Sequence, residues 1–268
     1  MYKDLTLENK VIEIISEAIS LIKDAVFSIT EKAECTNIVT SSDLMSQDFL
    51  ISKLKELIPN CGFYCEENDL KDLSKEYVWI IDPIDGTTNY SRGINDCAIS
   101  VGLIHNGISV LGVVSNIYIN EVFSATINLG ARLNGKPINV SNRPFSNGLL
   151  CTAMSVYKKE YAQVCSDIIF EAYLKCNDFR RFGSAALELC YLACGRCDLY
   201  FEIRVFPWDY AGAYLILKEA GGLLKGYDKK ELKFDIATPL IGANSIENLN
   251  ILNDIVVKHI NKGGLSYE

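Results

Sequence analysis

Trp79-Ile80-Ile81-Asp82-Pro83-Ile84-Asp85-Gly86-Thr87-Thr88-Asn89-Tyr90 decides how the rest of this 268-residue chain is read. The run from Tyr77 to Ile81 is continuously β-branched and aromatic, the composition of a strand buried on both faces. The sequence therefore predicts that the chain turns outward where the carboxylates begin, with Asp82 and Asp85 at a strand end. Pro83 fixes φ and has no N–H, and Gly86 permits the tight turn that lets the following amides converge on an anion. Two carboxylates three residues apart on so stiff a segment repel unless a divalent cation lies between them. Carboxylates with a main-chain carbonyl, here that of Ile84, select a hard ion such as Mg²⁺. Metal-holding acids beside anion-holding amides point to phosphate chemistry. Asp-Pro-x-Asp-Gly is also good turn chemistry that needs no catalysis, and in isolation the two readings are evenly matched.

Composition bounds the partners. A net charge of −8 with no basic block argues against nucleic acid and anionic membranes, since nothing is present to release counterions from a phosphate backbone. The same charge looks wrong for a phosphate ester, unless bound cations invert the sign of the site locally. With 49 % hydrophobic and 22 % charged residues, the chain has the composition of a globular protein with a real core. The uncharged run between Asp96 and Glu121 is interrupted by His105-Asn106-Gly107 and reads as two strands of a hairpin rather than a membrane span. No cationic, apolar leader opens the sequence, so the expectation is a cytoplasmic protein whose ten cysteines are reduced. Cys190, Cys194 and Cys197 have metal-like spacing, but their company of Ala185, Leu187, Leu189, Leu192 and Ala193 suggests a packed helix.

Taken in order, residues 5 to 29 carry Val11, Ile12, Ile15, Ala18, Ile19, Ile22, Val26 and Ile29 at helical spacing, predicting one long amphipathic helix. A polar segment, 32 to 43, leads into a second helix carrying Leu44, Leu50, Ile51, Leu54 and Leu57 that stops at Pro59; Ser41, Ser42 and Asp43 are all competent caps for it. Phe63 to Glu67 reads as a short strand ending in two acids. Cys97 to Ile104, Ile108 to Ser115 and Glu121 to Thr126 read as consecutive antiparallel strands, and Asn134-Gly135-Lys136-Pro137 as a turn. After a join at Ser141 to Gly148, strands near Leu149–Met154, Phe179–Phe182, Leu199–Phe201 and Leu240–Ala243 alternate with helices across Tyr161–Leu174, Ser184–Cys194, Pro207–Ala220 and Ile246–Ile260. Alternation of this kind favours layered sheets and helices. Pro207-Trp208-Asp209 places an acid in a first helical turn, where the helix dipole favours it, and Ala211-Gly212-Ala213 lets that helix pack closely enough to bring Asp209 toward Asp82 and Asp85.

D-P-I-D-G-T-T-N with its apolar lead-in, followed by W-D-x-A-x-A and E-A-G-G, resembles the two signatures of the inositol monophosphatase family of Mg²⁺-dependent, Li⁺-sensitive phosphomonoesterases. The resemblance runs from about Lys32 to Gly222. It implies that Glu66, Asp82, the Ile84 carbonyl, Asp85 and Asp209 hold two or three Mg²⁺ ions, with Glu66 bridging them. It also implies that Asp43, in V-T-x-x-D, pairs with Thr87 to orient the attacking water. Asp85, Gly86, Thr87 and Thr88 would hold the phosphate. Gly183, Ser184, Ala185 and Glu202, seven residues before Asp209, would contact substrate hydroxyls, with Lys32 at the mouth of the site. Close packing of small residues explains Gly183-Ser184 about as well. Two departures stand out: Cys65 replaces the family's Gly before Glu66, and Cys151 to Tyr157 lacks the usual Gly- or Ser-rich substrate loop.

The fold so implied is the layered α/β sugar-phosphatase fold, an αβαβα sandwich of helices and mixed sheets. The chain would be one domain over 1–268, with a metal-site half at about 1–145 and an α/β half at about 146–268, commonly dimeric. The implied activity is hydrolysis of inositol monophosphate or another small phosphorylated polyol or sugar. A fructose-1,6-bisphosphatase and a 3′-phosphonucleotide phosphatase are rivals, the latter weakened by Thr88 where its relatives carry Lys. Lys32, Arg180, Arg181 and Arg204 are candidates to grip a second phosphate. A non-catalytic, metal-stabilised binding protein is the alternative from another class.

Overall fold

The computed structural model describes residues 4–25, 28–31, 38–67, 70–155 and 158–263. Lys32 falls outside them, as do Val26 and the end of the Cys151 to Tyr157 segment. Helix α1 (Thr6–Lys23) is shorter than its apolar periodicity predicts. The β-branched pair Ile29-Thr30 instead joins a two-stranded ribbon, β1 (Ile29–Glu31) against β2 (Ile38–Thr40), with Thr30 opposite Val39. Tertiary pairing outweighs the helical period there. Helix α2 (Ser41–Leu57) follows, and β3 (Gly62–Cys65) runs parallel to β4 (Tyr77–Asp85). After the short helix α3 (Thr87–Ser91), an antiparallel meander is built from β5 (Ala98–His105), β6 (Ile108–Asn116), β7 (Val122–Thr126), β8 (Ala131–Leu133) and β9 (Lys136–Pro137). Among the described residues these strands form a seven-stranded sheet in the order β3-β4-β5-β6-β7-β8-β9.

The second half supplies β10 (Leu149–Thr152), α4 (Ala162–Tyr173), β11 (Asp178–Arg180), α5 (Ala185–Ala193), β12 (Leu199–Val205), α6 (Pro207–Glu219), β13 (Leu223–Gly226), β14 (Thr238–Ala243) and α7 (Ile246–Gly263). Its five-stranded sheet has the order β11-β10-β12-β14-β13, parallel about β10 and antiparallel about β14. Strand β13, an edge strand, has no counterpart among the elements expected from sequence.

Three cores define the layers. Trp79 and Ile81 of β4 point to a core shared with Val11, Ile15, Ile22, Leu50 and Leu54 of α1 and α2. Val78 and Ile80, alternating with them, point to the opposite face, where α5 and α6 meet Tyr200 of β12 and Leu240 of β14. Leu199, Phe201 and Ile241 leave the far side of the second sheet to pack on α4 and α7. The stack is therefore α1/α2, sheet, α5/α6, sheet, α4/α7, the αβαβα arrangement. A buried Glu8 secures the outer helix: its carboxylate accepts the hydroxyls of Ser124 at 2.8 Å and Thr126 at 2.6 Å on β7.

The central helix α6 sits unusually close to the first sheet. A Cβ on Gly112 would lie 2.1 Å from the Gly212 carbonyl oxygen, and one on Gly102 would lie 2.8 Å from the Ala211 carbonyl carbon. Only glycines on β5 and β6 admit the helix at that depth. At the far end of α6, Glu219 of the E-A-G-G segment accepts the N–H groups of Asn128 and Gly130, both at 3.0 Å, tying the helix to the β7–β8 turn.

Candidate active site

The acids of the central stretch are not thrown outward at a strand end. Strand β4 continues through them, and Asp82, Ile84 and Asp85 are buried. Residues three apart on a regular strand point to opposite faces, which would separate Asp82 from Asp85. The register against β5 slips by one residue between them, Asp82 opposite Ser100 and Asp85 opposite Ala98, and this bulge returns both carboxylates to one side. Asp82 Oδ1 accepts the Ile84 N–H at 3.0 Å. Gly86 then closes the segment with φ at +89°, and a Cβ there would press to 3.0 Å from the Asp96 carbonyl oxygen.

Helix α2 delivers the next group. Thr40, not Ser41 or Ser42, is the N-cap, and Asp43 Oδ2 accepts its N–H at 2.8 Å and its hydroxyl at 2.6 Å. The other oxygen, Oδ1, lies 3.2 Å from Thr87 Oγ1, so Asp43 both caps the helix and reaches the Gly86-Thr87 turn. Ser46 and Gln47, one helical turn along the same face, extend this contact. Ser46 donates to the Pro83 carbonyl at 3.1 Å, and Gln47 exchanges two hydrogen bonds of 3.0 Å with the Glu67 backbone. These two residues, which sequence reading missed, hold α2 against both acidic segments; their signal was two polar positions on a helix face otherwise destined for burial.

Asp209 enters from α6 as expected, in the first turn, with Oδ2 accepting the Phe206 N–H at 2.8 Å. From α5, the Ser184 hydroxyl donates to Asp85 Oδ2 at 2.6 Å and the Ala186 N–H to the same oxygen at 2.7 Å. The Ser184 hydroxyl thus serves Asp85 directly. The Gly183 N–H is likewise engaged, donating to Glu188 Oε1 at 3.0 Å beside the Phe182 N–H at 2.6 Å. Asn89 completes the link between halves, its amide donating to the carbonyls of Asp96 and Phe182, both at 2.7 Å. Neither Glu188 nor Asn89 was assigned a structural role from sequence.

Electrostatics tie these acids into one cluster. Burial raises Asp82 well above the usual carboxylate range, and Glu66, Asp85, Asp209 and Asp43 push it further. Burial, then Asp85 and Glu66, raise Asp209 in the same way, against the Phe206 N–H. Asp85 is pushed to about 6 by burial, opposed by its Ser184, Ala186 and Ala185 hydrogen bonds. Asp43 also stands at about 6, burial outweighing the Thr40 and Thr87 bonds. Glu202, on β12, is raised to about 7 by burial, with Asp85 adding to the effect and Tyr200 and Arg181 opposing it. The sequence-selected acids therefore feel one another, although they come from five separate segments of chain.

No three Asp, Glu, His or Cys side chains among the described residues are drawn in around one point as a closed metal cage. The donor set nevertheless fits a hard cation. Asp82, Asp85 and Asp209 each spend one oxygen on a local N–H or hydroxyl, Asp82 is repelled by Glu66, Asp85, Asp209 and Asp43, and carboxylate oxygens are what Mg²⁺ takes. Like charges held apart only by their local hydrogen bonds would be drawn together by such an ion.

Comparison with known proteins agrees with this geometry. The model of the inositol monophosphatase family matches residues 1–261. The chain is 35 % identical over 233 residues to inositol monophosphatase 3 of Solanum lycopersicum, covering 84 % of this chain and 85 % of that one. It is 36 % identical over 221 residues to the Nus factor SuhB of Xylella fastidiosa, covering 80 % of each. Among solved structures, an inositol monophosphatase from Anabaena (Nostoc) superposes with a TM-score of 0.82 at 28 % identity, covering 94 % of this chain and 96 % of that one. The extragenic suppressor protein suhB of Bartonella henselae gives 0.85 at 27 %, covering 94 % and 98 %. With matching signatures, matching layers and a buried carboxylate cluster where the signatures meet, the chain belongs to the inositol monophosphatase family of phosphomonoester hydrolases.

Proposed function

We propose that this phosphatase is Mg²⁺-dependent and removes phosphate from a small phosphorylated polyol, with inositol monophosphate as the leading substrate. The observation that carries the reading is the cluster of mutually repelling carboxylates, buried Asp82 and Asp85 with half-buried Asp209 and Glu66, joined to the Asp43–Thr87 contact. Glu66, Asp82, the Ile84 carbonyl, Asp85 and Asp209 are the groups that would hold two or three Mg²⁺ ions. What Mg²⁺ supplies when bound is Lewis acidity toward phosphoryl oxygens, a lowered pKa for water and neutralisation of a leaving alkoxide.

The chain's own groups do the rest. Thr87 Oγ1 has one proton and two acceptors in reach, Asp43 Oδ1 and the Ile84 carbonyl. With that proton given away, its lone pairs accept a hydrogen bond from the attacking water, which fixes the water's position for in-line approach. Asp43, with its affinity for a proton raised by burial, receives the proton released. The amides of Gly86, Thr87 and Thr88 hold the phosphate, and Glu66 completes the catalytic set. Ala185 at the start of α5 and Glu202 orient the substrate hydroxyls, Ser184 and Gly183 shaping that wall through Asp85 and Glu188.

The chain acts as a single domain in the cytoplasm, where the free thiols of the nine described cysteines suit a reducing medium. No helix among the described residues is long and apolar enough to cross a membrane. A homodimer would cover the exposed Phe170, Tyr173, Leu174 and Phe179 beside edge strand β11, where the Tyr173 and Phe179 rings already meet at 5.9 Å. The test is phosphate release from a panel of inositol phosphates, fructose 1,6-bisphosphate, histidinol phosphate and 3′-phosphoadenosine phosphates, with Mg²⁺ and with EDTA. Mg²⁺-dependent release from inositol monophosphate above the others supports the reading; preference for another group of the panel replaces the substrate.

A further inference from the structure

The fold gives Cys197 a partner that its spacing from Cys190 and Cys194 does not suggest. Its sulfur lies 2.8 Å from that of Cys151, 46 residues away in the chain. Cys151 is on β10, and Cys197 is in the turn between α5 and β12. Both side chains enter the core of α5 and α6, Cys151 fully buried and Cys197 only 1 % exposed. Backbone pairing builds the approach. Across the parallel ladder of β10 and β12, Leu150 stands opposite Leu199 and Cys151 opposite Tyr200. Asp198, next to Cys197, donates its N–H to the Leu149 carbonyl at 3.0 Å and accepts the Leu149 N–H on its carboxylate at 2.8 Å. Arg143 pairs with that carboxylate at 2.9 Å, and the Cys197 N–H is held by the Tyr191 carbonyl at 3.2 Å. The two sulfurs are therefore set against each other by fixed neighbours, not by loose chain.

A shared metal does not fit this spacing. Two thiolates on one zinc, each about 2.3 Å from it at a tetrahedral angle, stand about 3.8 Å apart. Nor do the described residues bring a third ligand to the pair. Inert packing accounts for the burial, since a cysteine behaves as a small apolar side chain, but it asks for no sulfur-to-sulfur contact. What the spacing does fit is bond formation: from 2.8 Å the sulfurs need to close by only about 0.8 Å to reach a disulfide length of about 2.05 Å. Contact with Cys197, then burial, hold the Cys151 thiol well above the usual thiol range, with Glu188 and Asp198 adding to the effect. The pair therefore stays reduced in a reducing medium and reacts slowly, through local opening of the core.

We propose that Cys151 and Cys197 are an oxidation site, a dithiol that closes to an intramolecular disulfide when a low-molecular-weight disulfide such as oxidised glutathione is in excess, and that reopens on reduction. One cysteine, as thiolate, attacks a sulfur of the oxidant and expels one glutathione thiolate, which takes up the proton. The other, losing its proton, attacks the mixed disulfide and expels the second. Two protein thiols are oxidised, one glutathione disulfide is reduced, and two glutathione thiols are formed. The new bond clasps β10 to the turn after α5 and closes a loop that contains α4, β11 and α5. A cross-link over so long a loop restricts the unfolded chain more than the folded one, so the oxidised form is the more stable.

The test holds the full chain in excess oxidised glutathione, and refolds a second portion from urea in the same buffer so that both thiols are exposed. Remaining thiols are alkylated and tryptic peptides are mapped without reduction. Cleavage after Arg196 and Arg204 separates Cys197 from Cys194, so its partner is read without ambiguity. The expected result in either portion is a peptide pair joined through Cys151 and Cys197 that dithiothreitol splits, with a Tm about 5–10 °C higher in the oxidised chain than in the reduced one. Cys197→Ala treated in the same way should show neither the link nor the rise; if that variant does not fold, the peptide map and Tm of the unsubstituted chain decide. Cys151 and Cys197 recovered alkylated, or bridged to other cysteines, in both portions overturns the proposal. A linked chain that melts no higher than the reduced one overturns the clasp.

Discussion

Thr87 Oγ1 lies 3.2 Å from Asp43 Oδ1 and 3.0 Å from the Ile84 carbonyl oxygen, so one hydroxyl joins the start of α2 to the bulged end of β4. On the proposed reading the two partners act as a unit and should fail as one. Asp43→Asn and Thr87→Val are each expected to lower kcat by about a hundredfold or more, with the double variant little worse than either single one. Thr87→Ser keeps the hydroxyl and should retain most activity. Asp43→Asn also weakens the α2 cap, at a cost of about 1 kcal/mol in urea unfolding. Additive losses in the double variant would contradict a shared role.

Ser184 supports Asp85 from α5 while capping that helix, its Oγ accepting the Leu187 N–H at 3.3 Å. Ser184→Ala should therefore lower stability by about 1–2 kcal/mol and raise the Mg²⁺ concentration for half-maximal activity by about tenfold. A Mg²⁺ requirement left unchanged would show that Asp85 needs no such support.

The approach of α6 to the first sheet leaves no room at Gly112, where a Cβ would fall 2.1 Å from the Gly212 carbonyl oxygen. Gly112→Ala must push the helix, and Asp209 with it, away from Asp82. A loss of about 3 kcal/mol or more in stability is expected, together with a sharp drop in turnover in whatever folds. Thermal unfolding and specific activity of the purified variant check both parts.

Stability should depend on pH in an uncommon direction. Asp43 and Asp85 are raised to about 6 and Glu202 to about 7 in the folded chain. Unfolded carboxyls titrate at about 4, so between about pH 4 and 7 the folded state binds more protons than the unfolded state does. In EDTA these groups stabilise the fold below that window and lose their contribution as pH rises through it, so Tm should fall from pH 5 to pH 8. Mg²⁺ competes with those protons and should raise Tm more at pH 8 than at pH 5. A metal-free Tm that climbs across this range would contradict the account.

The parts of the site that sequence made legible were those written in one short segment. Asp82-Pro83-Ile84-Asp85-Gly86 and Pro207-Trp208-Asp209 carry their own turn and cap chemistry, so the placing of their acids could be argued from neighbours alone. What was not legible depended on partners distant in the chain. The bulge that turns Asp82 and Asp85 to one side is set by pairing with β5, and the depth of α6 is set by Gly102 and Gly112, glycines inside otherwise ordinary strands. Neither the substrate-contact reading of Gly183 and Ser184 nor the close-packing one anticipated Glu188 and Asp85, which take up their N–H and hydroxyl. The periodicity of α1 ran on past Lys23 into Ile29 because a helical pattern cannot reveal that β2 waits to pair with those residues.

The central claim is that buried carboxylates hold Mg²⁺ for phosphate removal, and phosphate release from inositol 1-phosphate tests it most directly. It should be measured against Mg²⁺ concentration for the unsubstituted chain and for Asp209→Asn. The account predicts saturable activation by Mg²⁺, loss in EDTA with recovery when Mg²⁺ is returned, and turnover at least about a hundredfold lower in an Asp209→Asn variant that still melts cooperatively. Release that persists in EDTA, or near-normal turnover in Asp209→Asn, would contradict it.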